Sequence, residues 1–299
     1  MITIAEVTKR YGGLTALDRV SLTFDKGERV AFVGANGSGK TTLLRVLLGL
    51  VRFEGKVTVL GSDVAREPEV AMRSVAYVPQ VAPPLDAPVA EVVRAQAALR
   101  GRSADETWAR AKRLGLAADA CRGKRFRDLS GGMKQKLLAA MALATAAPIL
   151  VCDEPTANLD GDARASFFEQ LDERPAQGIV VLCSHRIDEV RAIVGRVVEM
   201  SEGRVLRDAA LDEIIGDLQM FRVEIALRAG ADDAALVARG FARVGARRLR
   251  ARVTHEKKIE LVTAALRDAG DVIEDLSVVA EGEVAAGRRS SPRLVAVPS

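Results

Sequence analysis

The stretch GANGSGKTT, Gly34 to Thr42, follows the apolar run RVAFV and leads into the helix-spaced KTTLLRVLLGL. Gly34, Gly39, Lys40 and Thr41 fit G-x-x-x-x-G-K-[ST] where that pattern has meaning, at a strand turning into a helix. Glycines let successive N–H groups turn inward around an anion, and the helix N-terminus adds the positive end of its dipole. Lys40 is placed to reach the β- and γ-phosphates of a nucleotide, and the Thr41 hydroxyl to ligate Mg2+. The plain alternative, a glycine-rich turn with a surface lysine, is disfavoured by the flanking strand and helix. A chain built around such a loop is expected to be an α/β protein.

The run ILVCDE puts four apolar residues before Asp153. That is the pattern of a buried strand with Asp153 at its carboxyl end, where parallel sheets place ligands. Asp153 is expected to hold Mg2+ through water. Glu154 follows directly and can polarise an attacking water, so it is the candidate general base. An exposed acidic pair is the simpler reading of these two residues alone, but not beside a phosphate loop.

A second stretch, LSGGMKQK from Leu129 to Lys136, opens a strongly apolar helix on Ser130, Gly131 and Gly132. It is another backbone nest for an anion. Two such surfaces in one chain either lie side by side on one nucleotide or serve two subunits arranged head to tail.

With these parts in view the sequence resembles the ATP-binding cassette (ABC) family over about residues 1–216. Tyr11, GANGSGKTT, Gln80, LSGGMKQ, ILVCDEP, NLD and SH occur in the family's order. The resemblance implies the cassette form of the P-loop fold. That form has a mainly parallel core sheet, an antiparallel β subdomain and an inserted helical subdomain, here about residues 81–145. It implies ATP and Mg2+ as ligands. The nucleotide would be held by Gly34, Ala35, Asn36, Gly37, Ser38, Gly39, Lys40, Thr41 and Thr42, with Tyr11 stacked on the adenine. Gln80 would sense the γ-phosphate and Mg2+. Ser130, Gly131 and Gly132 would contact the γ-phosphate across a dimer, and Asp160 would couple the two sites. His185 would stand beside the γ-phosphate with Glu154. Cys152 stands where the family often has an aliphatic residue, and Asn158 where it has a small one. Neither removes a catalytic group, so an active ATPase is expected.

From about Met220 the pattern restarts as strand, helix, strand, helix, strand. This predicts a small α+β domain over 217–282 and a flexible tail over 283–299. RRLRARVT would place Arg248, Arg250 and Arg252 on one strand face. A solvated sheet face is the plain reading. The alternative is an anionic membrane surface or nucleic acid, and without aromatics nucleic acid is not expected.

Among 299 residues the net charge is +4 and there are only three cysteines and two histidines. These exclude a disulfide framework and a His-rich metal cluster. The first ten residues are charged without an apolar core, so no signal peptide is expected. LLAAMALATAAPILVC is too short to span a bilayer and is split by Pro148.

The expected role is therefore a cytoplasmic ATPase on the inner face of the cell membrane. It would act as a homodimer or pseudo-dimer powering a separate transmembrane permease subunit. Small C-terminal extensions like this one occur on efflux-type ABC ATPases, which favours export over import. The alternatives are a soluble ABC ATPase in cofactor assembly or translation, and an ATP-binding switch with little turnover.

Overall fold

The computed structural model describes residues 1–184, 190–218 and 220–281. It divides into two compact units, Met1–Leu211 and Asp212–Ser299.

In the first unit, β1 (Ile2–Tyr11), β2 (Leu14–Phe24), β4 (Glu54–Val59) and β5 (Ser62–Asp63) form an antiparallel sheet in the order β2-β1-β4-β5. A six-stranded sheet contains β3 (Arg29–Val33), β6 (Val75–Val78), β7 (Ile149–Asp153), β8 (Ile179–Cys183), β9 (Arg196–Ser201) and β10 (Arg204–Ala210). Its order is β10-β9-β3-β8-β7-β6, parallel throughout except for the β9–β10 hairpin. The expected mainly parallel core and antiparallel β subdomain are both present. β7 and β8 read ILVCD and IVVLC and are buried at every residue. Strands covered on both faces need no polar alternation, which is why both runs are continuously apolar. Phe24 and Phe32 meet edge to face, 6.0 Å between centroids, where the two sheets share one core.

Helix α1 (Lys40–Leu47) springs from the end of β3 and buries Leu43, Leu44, Val46 and Leu47. α2 (Pro68–Arg73) starts on a proline at its first position. Between β6 and β7 lie α3 (Val89–Leu99), α4 (Ala104–Arg113), α5 (Ala118–Cys121), a 3-10 turn (Phe126–Asp128) and α6 (Gly131–Ala144). These form the inserted helical subdomain. Ser103 caps α4 by accepting from the Asp105 N–H, and the first turn carries Asp105 and Glu106, as the helix dipole favours. α7 (Gly161–Asp172) follows β7, and α8 (Leu211–Leu218) follows β10.

The second unit contains β11 (Met220–Leu227), α9 (Ala234–Ala238), β12 (Ala242–Gly245), β13 (Arg248–Thr254), α10 (His255–Ala269) and β14 (Ile273–Glu281). Its antiparallel sheet runs β12-β13-β11-β14. The stretch DDAALVARGFARVG, whose spacing suits the first of the two expected helices, is a short helix and a strand. Gly240 adopts φ +94° and ends α9, and Phe241 turns into the core. The unit is therefore βαββαβ, with one strand more than expected. Val223, Ile225, Leu249, Ala251 and Phe241 pack with Ala265 and Ala269 of α10. Arg250 and Arg222 share Glu224 as their ion-pair partner, at 2.8 and 3.4 Å. The tail over 283–299 and His185 lie outside the described residues.

Candidate active site

The phosphate loop joins β3 to α1, and its geometry follows from its glycines. Gly34, Gly37 and Gly39 have φ of +144°, +82° and +105°. At Gly39 a Cβ would lie 2.7 Å from the Ala16 carbonyl oxygen. The same oxygen is equally close to where a Cβ of Gly203 would be, so the β9–β10 hairpin turn packs against this backbone too. The turn is fastened to the loop by the Gly203 N–H, which donates to the Ser38 carbonyl over 3.0 Å.

Lys40 is the first residue of α1 and is nearly buried. Its ammonium donates to the Gly34 and Ala35 carbonyls at 2.7 and 3.0 Å, and to Ser38 Oγ at 3.4 Å. The charge is therefore held within the curl of the loop.

Asp153 ends β7 and is 2 % exposed. Burial pushes its carboxyl above the ordinary value, while a hydrogen bond from the Thr41 hydroxyl, 3.2 Å to Oδ1, pulls it back. A hydroxyl and a carboxylate side by side are hard oxygen donors, the set a Mg2+ ion prefers. The Gln80 side-chain amide, on the same cleft, is a further oxygen donor.

Glu154 has φ +49°, a left-handed backbone unusual for a residue with a side chain. Its N–H donates to the Cys183 carbonyl over 3.0 Å, which holds the turn against the end of β8. Such strain gathers at functional sites, where surrounding structure enforces it. Cys152 and Cys183 lie buried behind these acids, and burial pushes both thiols upward.

These groups line one cleft of about 780 Å³. Its walls include Tyr11, Asn36, Gly37, Ser38, Gly39, Lys40, Thr41, Thr42, Gln80, Asp153 and Glu154. An adjoining hollow of about 560 Å³ is bounded by Gly34, Ala35, Asn36, Gln80, Glu154 and Ala157. Tyr11 stands at the rim with the Lys9 ammonium 4.6 Å from its ring centre. Leu14, Thr15, Ala16 and Glu202 also line the cleft and were not singled out from sequence. The signal for them is indirect: YGG and SEG are turn sequences that fold back beside the loop.

Ser130, Gly131 and Gly132 line neither hollow. Ser130 caps α6, its Oγ accepting from the Met133 N–H over 3.3 Å. The start of α6 packs against the segment after Glu154. The Gln135 amide donates to the Pro155 carbonyl at 3.1 Å, and a Cβ on Gly132 would lie 3.1 Å from the Asn158 carbonyl oxygen. Asp160 caps α7 through the Ala163 N–H at 2.9 Å and accepts from Lys136 of α6 at 2.6 Å. The Lys136 hydrogen bond holds its carboxyl below the ordinary value. Asp160 also lies off the cleft walls.

Comparison with known proteins places this arrangement. A family described as ABC transporter matches residues 17–157. The chain is 37% identical over 228 residues to a methionine import ATP-binding protein, MetN, of Caulobacter vibrioides, covering 72% of this chain and 68% of that one. It is 35% identical over 231 residues to a Nod factor export ATP-binding protein I of a Rhizobium species, covering 72% and 74%. A solved dimeric ATP-binding cassette in a post-hydrolysis state, bound to ADP and Pi, superposes with a TM-score of 0.62 at 26% identity, covering 71% of this chain and 99% of that one. A glycine loop curled around Lys40, a buried acid beside Thr41 and a glycine pair opening α6 thus find one explanation: the chain belongs to the ABC transporter family and is one of its ATP-binding, ATP-hydrolysing subunits.

Proposed function

We propose that this ATPase works as a head-to-tail dimer that closes two ATP molecules between its subunits and powers a separate membrane permease. The observation that carries the reading is the separation of Ser130–Gly132 from the cleft walls that hold Lys40, Gln80, Asp153 and Glu154. An anion nest on a helix N-terminus that lines neither hollow of its own chain has a use if it meets the phosphate of another copy. The dimeric cassette among the relatives supports this.

In this reading the loop Gly34–Thr42 holds the triphosphate, and Tyr11 stacks on the base at the rim. Thr41, Asp153 and Gln80 hold Mg2+, which when bound neutralises charge on the phosphates. Glu154 accepts a proton from the water that attacks the γ-phosphorus, as the bond to the β-phosphate oxygen breaks. The contribution of His185 is part of the same proposal.

Among the described residues no helix is long and apolar enough to cross a membrane. The relatives named as ATP-binding proteins of import and export support a separate membrane subunit, and with it a place on the inner membrane face. A hollow of about 290 Å³ between the core sheet and the helical subdomain offers a docking place; Leu50, Met72, Tyr77, Gln96, Arg100 and Met141 line it. Relatives include both an import and an export protein. The proposal of export rests on the small C-terminal unit.

Glu154→Gln tests the mechanism. The variant should bind ATP, lose steady turnover and accumulate as an ATP-dependent dimer by size-exclusion chromatography. A variant that stays monomeric at saturating ATP would overturn the shared site. Co-purification of a membrane-spanning chain tests the transport role.

A further inference from the structure

We infer that Asp86 is a positioning residue, which ties the segment after Gln80 to the approach to Ser130 and so links the two nucleotide surfaces of one subunit. The inference rests on the head-to-tail reading above.

Gln80 sits on the cleft, and six residues later Asp86 faces a different segment. Both of its carboxylate oxygens are engaged: Arg125 binds Oδ1 at 2.7 Å and Arg127 binds Oδ2 at 2.9 Å. The backbones run alongside. The Phe126 N–H donates to the Ala87 carbonyl and the Val89 N–H to the Lys124 carbonyl, both at 2.9 Å, and Pro88 bridges Arg125 antiparallel. Phe126 is fully buried and anchors the 3-10 turn.

On the far side the connection continues into α6. Lys134 in its first turn donates to the Arg127 carbonyl at 2.7 Å. Three residues after Arg127 comes Ser130, the cap of that helix. On the near side Pro83 and Pro84 restrict the strut between Gln80 and Asp86, since proline fixes φ. A short turn closes there, with the Leu85 N–H on the Pro83 carbonyl at 2.9 Å.

Stability does not explain this arrangement. Asp86, Arg125 and Arg127 are each about half exposed, and exposed ion pairs contribute little to folding. A carboxylate held by two guanidinium groups adds a directional, charge-assisted clamp to the backbone bonds between the two segments. A displacement of Gln80 when the γ-phosphate binds would then be passed to Ser130, which faces the other subunit's nucleotide. Without the Asp86 carboxylate, Arg127 retains only Asp128, 3.5 Å away on its own segment, and Arg125 only the Asp86 carbonyl at 3.4 Å, so the two segments lose their charge-assisted link.

The experiment uses the full chain carrying Glu154→Gln, with and without Asp86→Ala. The added substitution should raise the ATP concentration for half-maximal dimer about tenfold. Binding of a fluorescent N-methylanthraniloyl ATP to the dilute single subunit should stay unchanged. Exchanging the charges, Asp86→Arg with Arg125→Glu and Arg127→Glu, should bring the dimer midpoint back toward its starting value. Asp86→Arg alone should shift it further. An unshifted midpoint in Asp86→Ala, an equal loss of single-subunit nucleotide binding, or a folded charge-exchanged variant without rescue would each overturn the inference. If Glu154→Gln alone forms no ATP-dependent dimer, the head-to-tail reading and this inference fall together. If it dimerises and Asp86→Ala changes nothing, only the role of Asp86 falls.

Discussion

The hydroxyl of Thr41 donates to Asp153 Oδ1 over 3.2 Å, joining residues 112 positions apart in the chain. One lies in the first turn of α1 and the other ends a buried strand. Thr41→Ala should therefore raise the Mg2+ concentration for half-maximal ATPase activity by at least about tenfold, while Thr41→Ser keeps it near the wild-type value. A Mg2+ titration of steady-state ATPase activity decides. An unchanged midpoint in Thr41→Ala would remove this pair from the metal site.

Two glycines of one loop should respond unequally to alanine. Gly37 has φ +82° and open space around it, so Gly37→Ala should cost only backbone strain, about 1–2 kcal/mol. Gly34 has φ +144°, and a Cβ there collides with the Met200 carbonyl oxygen. Gly34→Ala should add about 1–3 kcal/mol of overpacking to a backbone conformation farther from any region open to an L-residue. Denaturant melts of the two variants give the comparison, and equal losses would contradict the geometry.

Acid should loosen a contact between α4 and α7. Arg113 and Arg110 bind Glu173 and hold its carboxyl at about 2, against an ordinary 4.5. A depressed carboxyl stabilises the fold above its ordinary value, and the contribution is lost as pH falls through the window from 4.5 toward about 2. Glu173→Gln removes the charge at every pH. Its melting temperature should lie below wild type at pH 7 and converge with it near pH 2. A gap of constant size across that range would show that the ion pairs contribute nothing. Because Glu173 is exposed, the effect should shrink with added salt.

The three cysteines should be silent in the folded chain. Cys121, Cys152 and Cys183 are buried, and burial pushes each thiol upward. Ellman's reagent at pH 8 should label none within minutes, and all three after guanidinium unfolding. Fast labelling of any one would show that its surroundings open.

Much of the nucleotide cleft was legible because its parts are local patterns. A glycine loop between strand and helix, and an acid after four apolar residues, carry their geometry within about ten residues. Their meeting around one cleft follows from β3 and β7 being parallel strands separated only by β8. Thr15, Ala16 and Glu202 were illegible for the opposite reason. They arrive through hairpin turns whose docking depends on close backbone packing at Gly39 and Gly203. Asp86 was hidden in a proline-rich loop, and its partners lie 39 and 41 residues away with no periodicity to announce them. β12 was missed because ARGFARVG can continue a helical pattern until Gly240 breaks it.

That Ser130 caps a helix outside the cleft walls of its own chain has a genetic consequence. In a head-to-tail pair, Lys40→Ala damages the site a chain builds with its own loop, whereas Ser130→Arg damages the site on its neighbour. Each variant alone leaves no intact site. Mixed together, they form some pairs in which both lesions fall on one nucleotide and the other site is wholly wild type. Two inactive proteins should then complement each other.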